Sequence, residues 1–200
     1  MCKDPAKRLV AAFDFDGTLT TRDTLLHFIS YACGRWCFVG GFLLFAPLML
    51  LMKLHLYPNG RCKERFFSWF FKGMPYADFV RLGETYADKV EGIRRETVIR
   101  QLQDLKSRGA TVYVVSASIE EWVRPYCHRI GVDHVLGTQV EVDAHGQLTG
   151  RFASPNCYGP EKVRRLQTIE PHRATYTLVA YGDSRGDAEL LEWADEGKKV

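Results

Sequence analysis

Two hundred residues, 46% of them hydrophobic and 26% charged, suffice for one globular core with an insertion and exclude a disordered chain. A formal charge of +3 is far from the concentrated Lys/Arg excess that binding a nucleic-acid backbone requires, so nucleic acid is excluded as a partner. The six cysteines, at positions 2, 33, 37, 62, 127 and 157, form no Cys-x-x-Cys pair, and MCKDPAKRLVAAFDFDG is no signal peptide, which predicts a reducing, cytoplasmic setting.

In chain order, RLVAAFDFDGT is a short apolar run ending at Asp-Gly, so a buried strand is expected over Leu9 to Phe13. From Thr21 to Glu91 the apolar spacing is helical, with breaks expected at Gly34, Gly40-Gly41, Pro47, Pro58 to Gly60 and Gly73 to Pro75. Cys33 and Cys37 could share one helix face there as buried thiols. Ile93, Val98, Ile99, Leu102 and Leu105 then line one face of a helix that stops at Gly109, and a strand follows over Ala110 to Ser116. Ser118 with Glu121 forms a capping-box signature for a helix to about Arg129. TQVEVDAHGQLTGRF alternates like a hairpin, GPEKVRRLQTIE reads as a helix with Pro160 in its first turn, TYTLVAYGDS as a strand, and GDAELLEWADEG as a last helix. The tail ADEGKKV carries no assignment. Strands alternating with helices predict an α/β fold: a three-layer, Rossmann-like parallel sheet from residues 1–20 and 92–200, with an all-helical cap, 21–91, inserted after the first strand.

Ligands of open α/β sheets sit beyond the carboxyl ends of the strands, and the acids collect there. Asp14 and Asp16 follow the first strand, Ser116 the second, and Asp183 and Asp187 the last. Two carboxylates opening on Gly17-Thr18 repel each other unless a cation intervenes, and oxygen ligands favour magnesium, with Asp183 able to complete the shell. Taken alone, DFDGT could be a turn whose aspartate caps backbone amides, Ser116 a strand-end cap and Lys162 a solvated helix residue. Together with the second acidic loop, GDSRGD, they are harder to dismiss as separate coincidences.

The motifs DFDGT, VVSAS, GPEKV and YGDSRGD resemble motifs one to four of the haloacid dehalogenase-like hydrolase superfamily, and the helical insertion resembles its phosphoserine phosphatase-like branch, type IB. The resemblance implies Asp14 as nucleophile and Asp16 as general acid/base. It implies phosphate binding by Ser116, Lys162 and the Gly17-Thr18 turn, and Mg2+ binding by Asp14, Asp183 and the Asp16 carbonyl, with Asp187 and Ser184 supporting that shell. The implied activity is hydrolysis of a phosphate monoester through an aspartyl phosphate. The second aspartate argues against dehalogenation, since a halide leaves without a proton. Ser116-Ala117-Ser118 and Asp23 depart from the phosphoserine phosphatase pattern of Ser-Gly-Gly and a cap glutamate, which puts phosphoserine in doubt. Asp23 could bind a substrate amine or cap a helix, and Arg65 is a further candidate for substrate recognition.

The insertion contains the longest apolar run, Trp36 to Met52, seventeen residues without a charge and short of the ~20 that span a bilayer. A single span would put Asp14 on one side of the membrane and Ser116, Lys162 and Asp183 on the other, so it is excluded. A buried cap helix, a re-entrant hairpin and a surface resting on lipid are left. Lys53, Arg61, Lys63, Arg65 and Lys72 follow the run with only Glu64 against them, a mix that suits an anionic interface. The expected partner is thus a phosphorylated small molecule or a lipid phosphate, the latter with peripheral contact at the inner membrane surface. A phosphotransferase and a non-catalytic binding protein on the same fold are the competing readings.

Overall fold

A computed structural model describes residues 7–200; Cys2 and the reading of the first six residues lie outside them. In chain order the described residues form β1 (Arg8–Phe13), α1 (Thr24–Cys33), α2 (Arg35–Lys53), α3 (Asn59–Phe71), α4 (Tyr76–Glu91), α5 (Glu96–Ser107), β2 (Thr111–Ile119), α6 (Glu120–Arg129), β3 (His134–Thr138), β4 (Val140–Val142), β5 (Leu148–Phe152), α7 (Pro160–Ile169), β6 (Tyr176–Gly182), α8 (Ala188–Trp193) and β7 (Glu196–Lys199). Five strands pair in the order β3-β2-β1-β6-β7, all parallel, while β4 and β5 form a separate antiparallel hairpin. Phe13 at the end of β1 is in register with Val114 and Tyr181, so the chain leaves β1 and β6 at the same edge of the sheet.

Alternation across the pleat sorts the strand residues onto two faces. Val10, Ala12, Tyr113, Val115, Leu178 and Ala180 meet Leu166 of α7 and Leu190 of α8. Ala11, Phe13, Val112, Val114, Val179 and Tyr181 belong to a cluster on the other face, with Leu102, Leu105, Trp122 and Tyr126. Helices on both faces make the expected three layers. That second cluster continues without a break into the insertion, taking in Phe28, Phe67, Phe71, Phe79 and Tyr86, so the four inserted helices and the sheet share one core. Gly83 of α4 is the closest approach: a Cβ there would lie 2.2 Å from the Glu121 carbonyl of α6. The hairpin braces α3 from the other side, with Phe67 and Phe152 ring centroids 5.7 Å apart and the Phe152 amide donating to Glu64 Oε1 at 2.8 Å. Where the chain enters and leaves the insertion, Thr20 pairs with Arg94 and the Thr21 amide donates to the Ile93 carbonyl at 2.7 Å.

Several local expectations are corrected. Gly40-Gly41 and Pro47 do not interrupt α2, which runs unbroken over nineteen residues. Gly41 is needed for packing, since a Cβ would lie 2.2 Å from the Phe70 ring, and Pro47 forfeits only its bond to Leu43, a residue on the exposed side. Gly34 separates α1 from α2, so Cys33 and Cys37 sit on two helices rather than one. Ile93 precedes α5 in the crossing segment. The Ser118–Glu121 capping box does not form, because β2 extends to Ile119 and α6 begins only at Glu120. The short β3 and the tail strand β7 were not anticipated.

Candidate active site

The turn after β1 is tight because its backbone folds back on itself and on the sheet. The Asp14 amide donates to the Tyr181 carbonyl at 2.9 Å, and the Thr20 amide to Phe15 at 3.0 Å. Gly17 has φ +76°, and a Cβ on it would lie 2.3 Å from an Asp183 carboxylate oxygen. Only glycine satisfies both the dihedral and the contact. The motif loops of β1 and β6 are thereby pressed together, and Thr18 Oγ1 donates across the gap to Asp183 Oδ1 at 3.4 Å. Arg95 holds the turn from below, donating from Nη2 to the Gly17 carbonyl at 2.8 Å.

Asp14 is buried at the carboxyl end of β1. Lys162, in the first turn of α7, is 2% exposed and donates from Nζ to Asp14 Oδ1 at 2.5 Å and to Asp187 Oδ1 at 2.6 Å. The other oxygen of Asp187 accepts from the Ser184 amide at 3.0 Å and the Ser184 hydroxyl at 2.8 Å, so both Asp187 oxygens are engaged. Carboxylate oxygens of Asp14, Asp183 and Asp187 lie within 4.8 Å of one another. Burial pushes Asp14 up to about 7, with Lys162 opposing and Asp187 and Asp16 adding to the rise. Asp183 is raised by burial and by Asp187. Burial alone would lower Lys162, yet Asp14 and Asp187 hold it raised, firmly cationic. A crowd of hard oxygen donors with carboxyls shifted upward is the signature of a site short of positive charge, and it fits a hard divalent cation such as Mg2+. With both Asp187 oxygens engaged, Asp14 Oδ2 and Asp183 are the oxygens that would meet such a cation.

Asp16 points the other way, into the start of the insertion. Its Oδ1 accepts from the Thr24 amide at 2.7 Å and the Thr24 hydroxyl at 2.5 Å, at the first turn of α1, and its Oδ2 accepts from the Ser118 hydroxyl. Trp122 Nε1 donates to Thr24 Oγ1 at 3.2 Å. Burial and Asp23 raise the Asp16 carboxyl, while Ser118, Thr24 and Lys63 pull it down. Two carboxyl groups of one turn thus lie in different surroundings: one against an ammonium and two further acids, the other among hydroxyls and a helix N-terminus. Ser116 is buried and its Oγ accepts from the Ser118 amide at 3.0 Å.

The family model for haloacid dehalogenase-like hydrolases matches residues 11–192. The chain belongs to this family. It is 31% identical over 190 residues to protein CicA of Caulobacter vibrioides, an alignment covering 94% of this chain and 84% of that one. It is 26% identical over 153 residues to a histidinol-phosphatase of Neisseria meningitidis serogroup C, covering 72% and 63%. Among solved structures, a phospho-aspartyl intermediate analogue of phosphoserine phosphatase superposes with a TM-score of 0.64 at 21% identity, covering 94% of this chain and 84% of that one. The shared fold matches the α/β architecture expected from the motifs.

In this haloacid dehalogenase-like hydrolase the acids open onto a cleft of about 450 Å³, bounded on the insertion side by Arg22, Asp23, Met52, Asn59 and Lys63. Asp14, Asp16, Gly17, Lys162, Asp183 and Ser184 line it, whereas Ser116 and Thr18 are buried and do not line it. Asp23 caps α1, its Oδ1 accepting from Leu25 at 2.9 Å and Leu26 at 3.3 Å, while still facing the cleft. Arg65 does not reach it. That guanidinium stacks over Tyr57 and lines a separate depression with Phe45, Trp69 and Lys72. Lys63, two residues earlier and so on a different side of α3, is the cation α3 presents to the cleft, beside Arg22. Sequence reasoning missed Lys63 in this role, together with Ser118 and Thr24 as the partners of Asp16 and Arg95 as the support of the turn. The S-x-x-E spacing drew Ser118 into a cap, and nothing local marks the other three.

Proposed function

We propose that this hydrolase is a Mg2+-dependent phosphomonoesterase working through an aspartyl phosphate on Asp14, with residues 21–91 as the cap that selects the leaving group. The observation that carries the reading is the pairing of a buried Asp14–Lys162 contact with a second aspartate, Asp16, held apart among hydroxyl donors. The phosphatase-named relative and the phospho-aspartyl form of its fold-mate support it. Mg2+, held by Asp14, Asp183 and the Asp16 carbonyl, would neutralise phosphoryl charge and so let one anion approach another.

The Asp14 oxygen not turned to the ion, Oδ1, attacks phosphorus in line, and the bond from phosphorus to the ester oxygen breaks. Lys162 and the Ser116 hydroxyl take the equatorial oxygens, whose negative charge a buried ammonium stabilises far better than water would. Asp16, protonated at this point, gives its proton to the departing alcohol. As a carboxylate it then takes a proton from the water that attacks the phosphoryl group, the Asp14–phosphorus bond breaks, and phosphate leaves. Its raised carboxyl and two hydroxyl partners suit an acid that must change state twice per cycle. The cleft offers Arg22, Asp23 and Lys63 to the leaving group, a set of mixed charge.

Phosphate release from p-nitrophenyl phosphate, with and without magnesium, tests the reading together with Asp14→Asn. Turnover is expected only with the metal, without an added acceptor, and with mass-spectrometric capture of phosphate on the Asp14 peptide. Asp14→Asn should fold and be inactive; retained turnover would remove Asp14 as nucleophile, and dependence on an acceptor alcohol would make the enzyme a phosphotransferase.

A further inference from the structure

Helix α2 is apolar on two sides. Phe38, Phe45 and Met49 pack inward, and Gly41 meets the Phe70 ring. On the other side Trp36, Leu43 and Leu50 recur every seven residues, two turns apart, and Trp36 is 85% and Leu43 67% exposed. Leu44, Leu54 and Leu56 extend this stripe, and Trp69 of α3 lies beside it. Gly41 is the one fully buried residue of the helix. Exposed apolar surface of this extent marks a contact face.

We infer that the outer face of α2 docks on an anionic lipid surface, with the helix lying in the interface plane. Charge singles out this occupant. From Arg35 to Lys72 the chain has six Lys or Arg residues and one acid, and that acid, Glu64, is engaged with the Phe152 amide. Bases gather at the edges of the helix: Arg65 and Lys72 share a depression with Phe45 and the exposed Trp69, and Lys53, His55 and Arg185 share one with Met49, the exposed Leu56 and the acid Glu189. An apolar stripe with a basic rim matches the acyl boundary and the headgroups of an anionic leaflet. A second copy of the chain would set the same basic rim against itself, which costs energy rather than gaining it. A span is excluded by contact, because Asp14 before α2 and Lys162 after it touch at 2.5 Å. The depression lined by Met49, Leu56 and Tyr57 shares Met52, Asn59 and Tyr158 with the catalytic cleft, so docking would place the mouth of the site against the surface.

The docking stands apart from the phosphatase reading, and two readouts separate them. Co-sedimentation of the full chain with vesicles of phosphatidylglycerol and phosphatidylcholine at low salt should capture the protein, high salt should release much of it, and pure phosphatidylcholine should bind it weakly. Leu43→Glu/Leu44→Glu should abolish capture, and Arg35→Gln/Lys72→Gln should weaken it by roughly thirtyfold, at about 1 kcal/mol per basic residue. Both variants should release phosphate from p-nitrophenyl phosphate like the parent, which also shows that they fold. Absence of binding to anionic vesicles at low salt overturns the inference. So does unchanged binding by Leu43→Glu/Leu44→Glu, or sedimentation without lipid that reveals a dimer abolished by the same substitutions. Loss of phosphate release with retained vesicle binding would instead count against the phosphatase reading alone.

Discussion

Replacing Lys162 by methionine tests the electrostatics of the site most directly, because the two side chains are similar in length and only the charge is lost. In the parent the ammonium is buried and shared at 2.5 and 2.6 Å between Asp14 and Asp187, with Asp183 nearby. Its removal leaves the buried carboxyls of Asp14 and Asp187, with half-buried Asp183 beside them, without a cation, and breaking such a pairing costs about 3–5 kcal/mol. For a chain of this size 1 kcal/mol moves Tm by about 2–4 °C, so the metal-free variant should melt about 6–20 °C lower. Magnesium answers the same charge deficit, so its addition should raise Tm more in the variant than in the parent. Turnover should fall further, by about 10²–10³-fold, because the transferring phosphoryl loses a preorganised cation. Thermal melts with and without magnesium, and phosphate release at saturating magnesium, measure these effects. A Lys162→Met protein that melts within about 2 °C of the parent without magnesium and keeps more than a tenth of its turnover would refute the reasoning.

Ser118→Ala removes one of the hydroxyls that hold Asp16, a hydrogen bond to a charged group worth about 1.5–3 kcal/mol, and kcat should drop about 10- to 100-fold while KM changes little. Gly17→Ala places a methyl 2.3 Å from the Asp183 carboxylate at φ +76°, so the magnesium concentration for half-maximal activity should rise at least about tenfold in a metal titration. Asp133 supplies a pH dependence away from the site. Burial opposes its charge, but the Lys106 ammonium and the Val112 amide hold its carboxyl below the usual range. Its contribution is therefore present above an unfolded pKa near ~3.9 and lost as pH falls through the lower folded value. Asp133→Asn should lower Tm by about 2–4 °C at pH 7, corresponding to ~1 kcal/mol, and by less in melts at progressively lower pH.

The parts legible in the sequence are those whose signal is local. β1, β2 and β6 are buried on both faces and read as continuous apolar runs, β1 and β6 stopping at acids and β2 at serines, and Pro160 announces α7. β7, with the sequence EGKK, has no apolar residue and is exposed along its length; only backbone pairing with Val179 to Gly182 makes it a strand. Ser118 and Asp16 are 102 residues apart, and no spacing rule reports that a hydroxyl at the end of one strand belongs to a carboxylate at the end of another. The choice between Lys63 and Arg65 was equally closed to sequence. Both are basic and two positions apart, and which one faces the cleft depends on how Phe66, Phe67 and Phe71 seat α3 in the core.

That seating bears on the chemistry. Phe28 of α1 stacks on Trp122 of α6 at 4.6 Å, and Trp122 donates to the Thr24 hydroxyl that itself donates to Asp16. The aspartate proposed to move the proton is thus bonded to the first turn of the cap rather than to the sheet alone, whereas Asp14 and Lys162 are fixed by β1 and α7. A displacement of α1 would move the partners of Asp16 and leave Asp14 in place. Because the insertion shares its hydrophobic core with the sheet, such a displacement must break buried aromatic contacts, each ring contributing about 1.5–3 kcal/mol of burial. The fold therefore couples the position of the insertion to the proton transfer proposed for Asp16. It leaves α2, whose outer face is exposed among the described residues, as the part of the insertion that can meet another surface without disturbing the acids below.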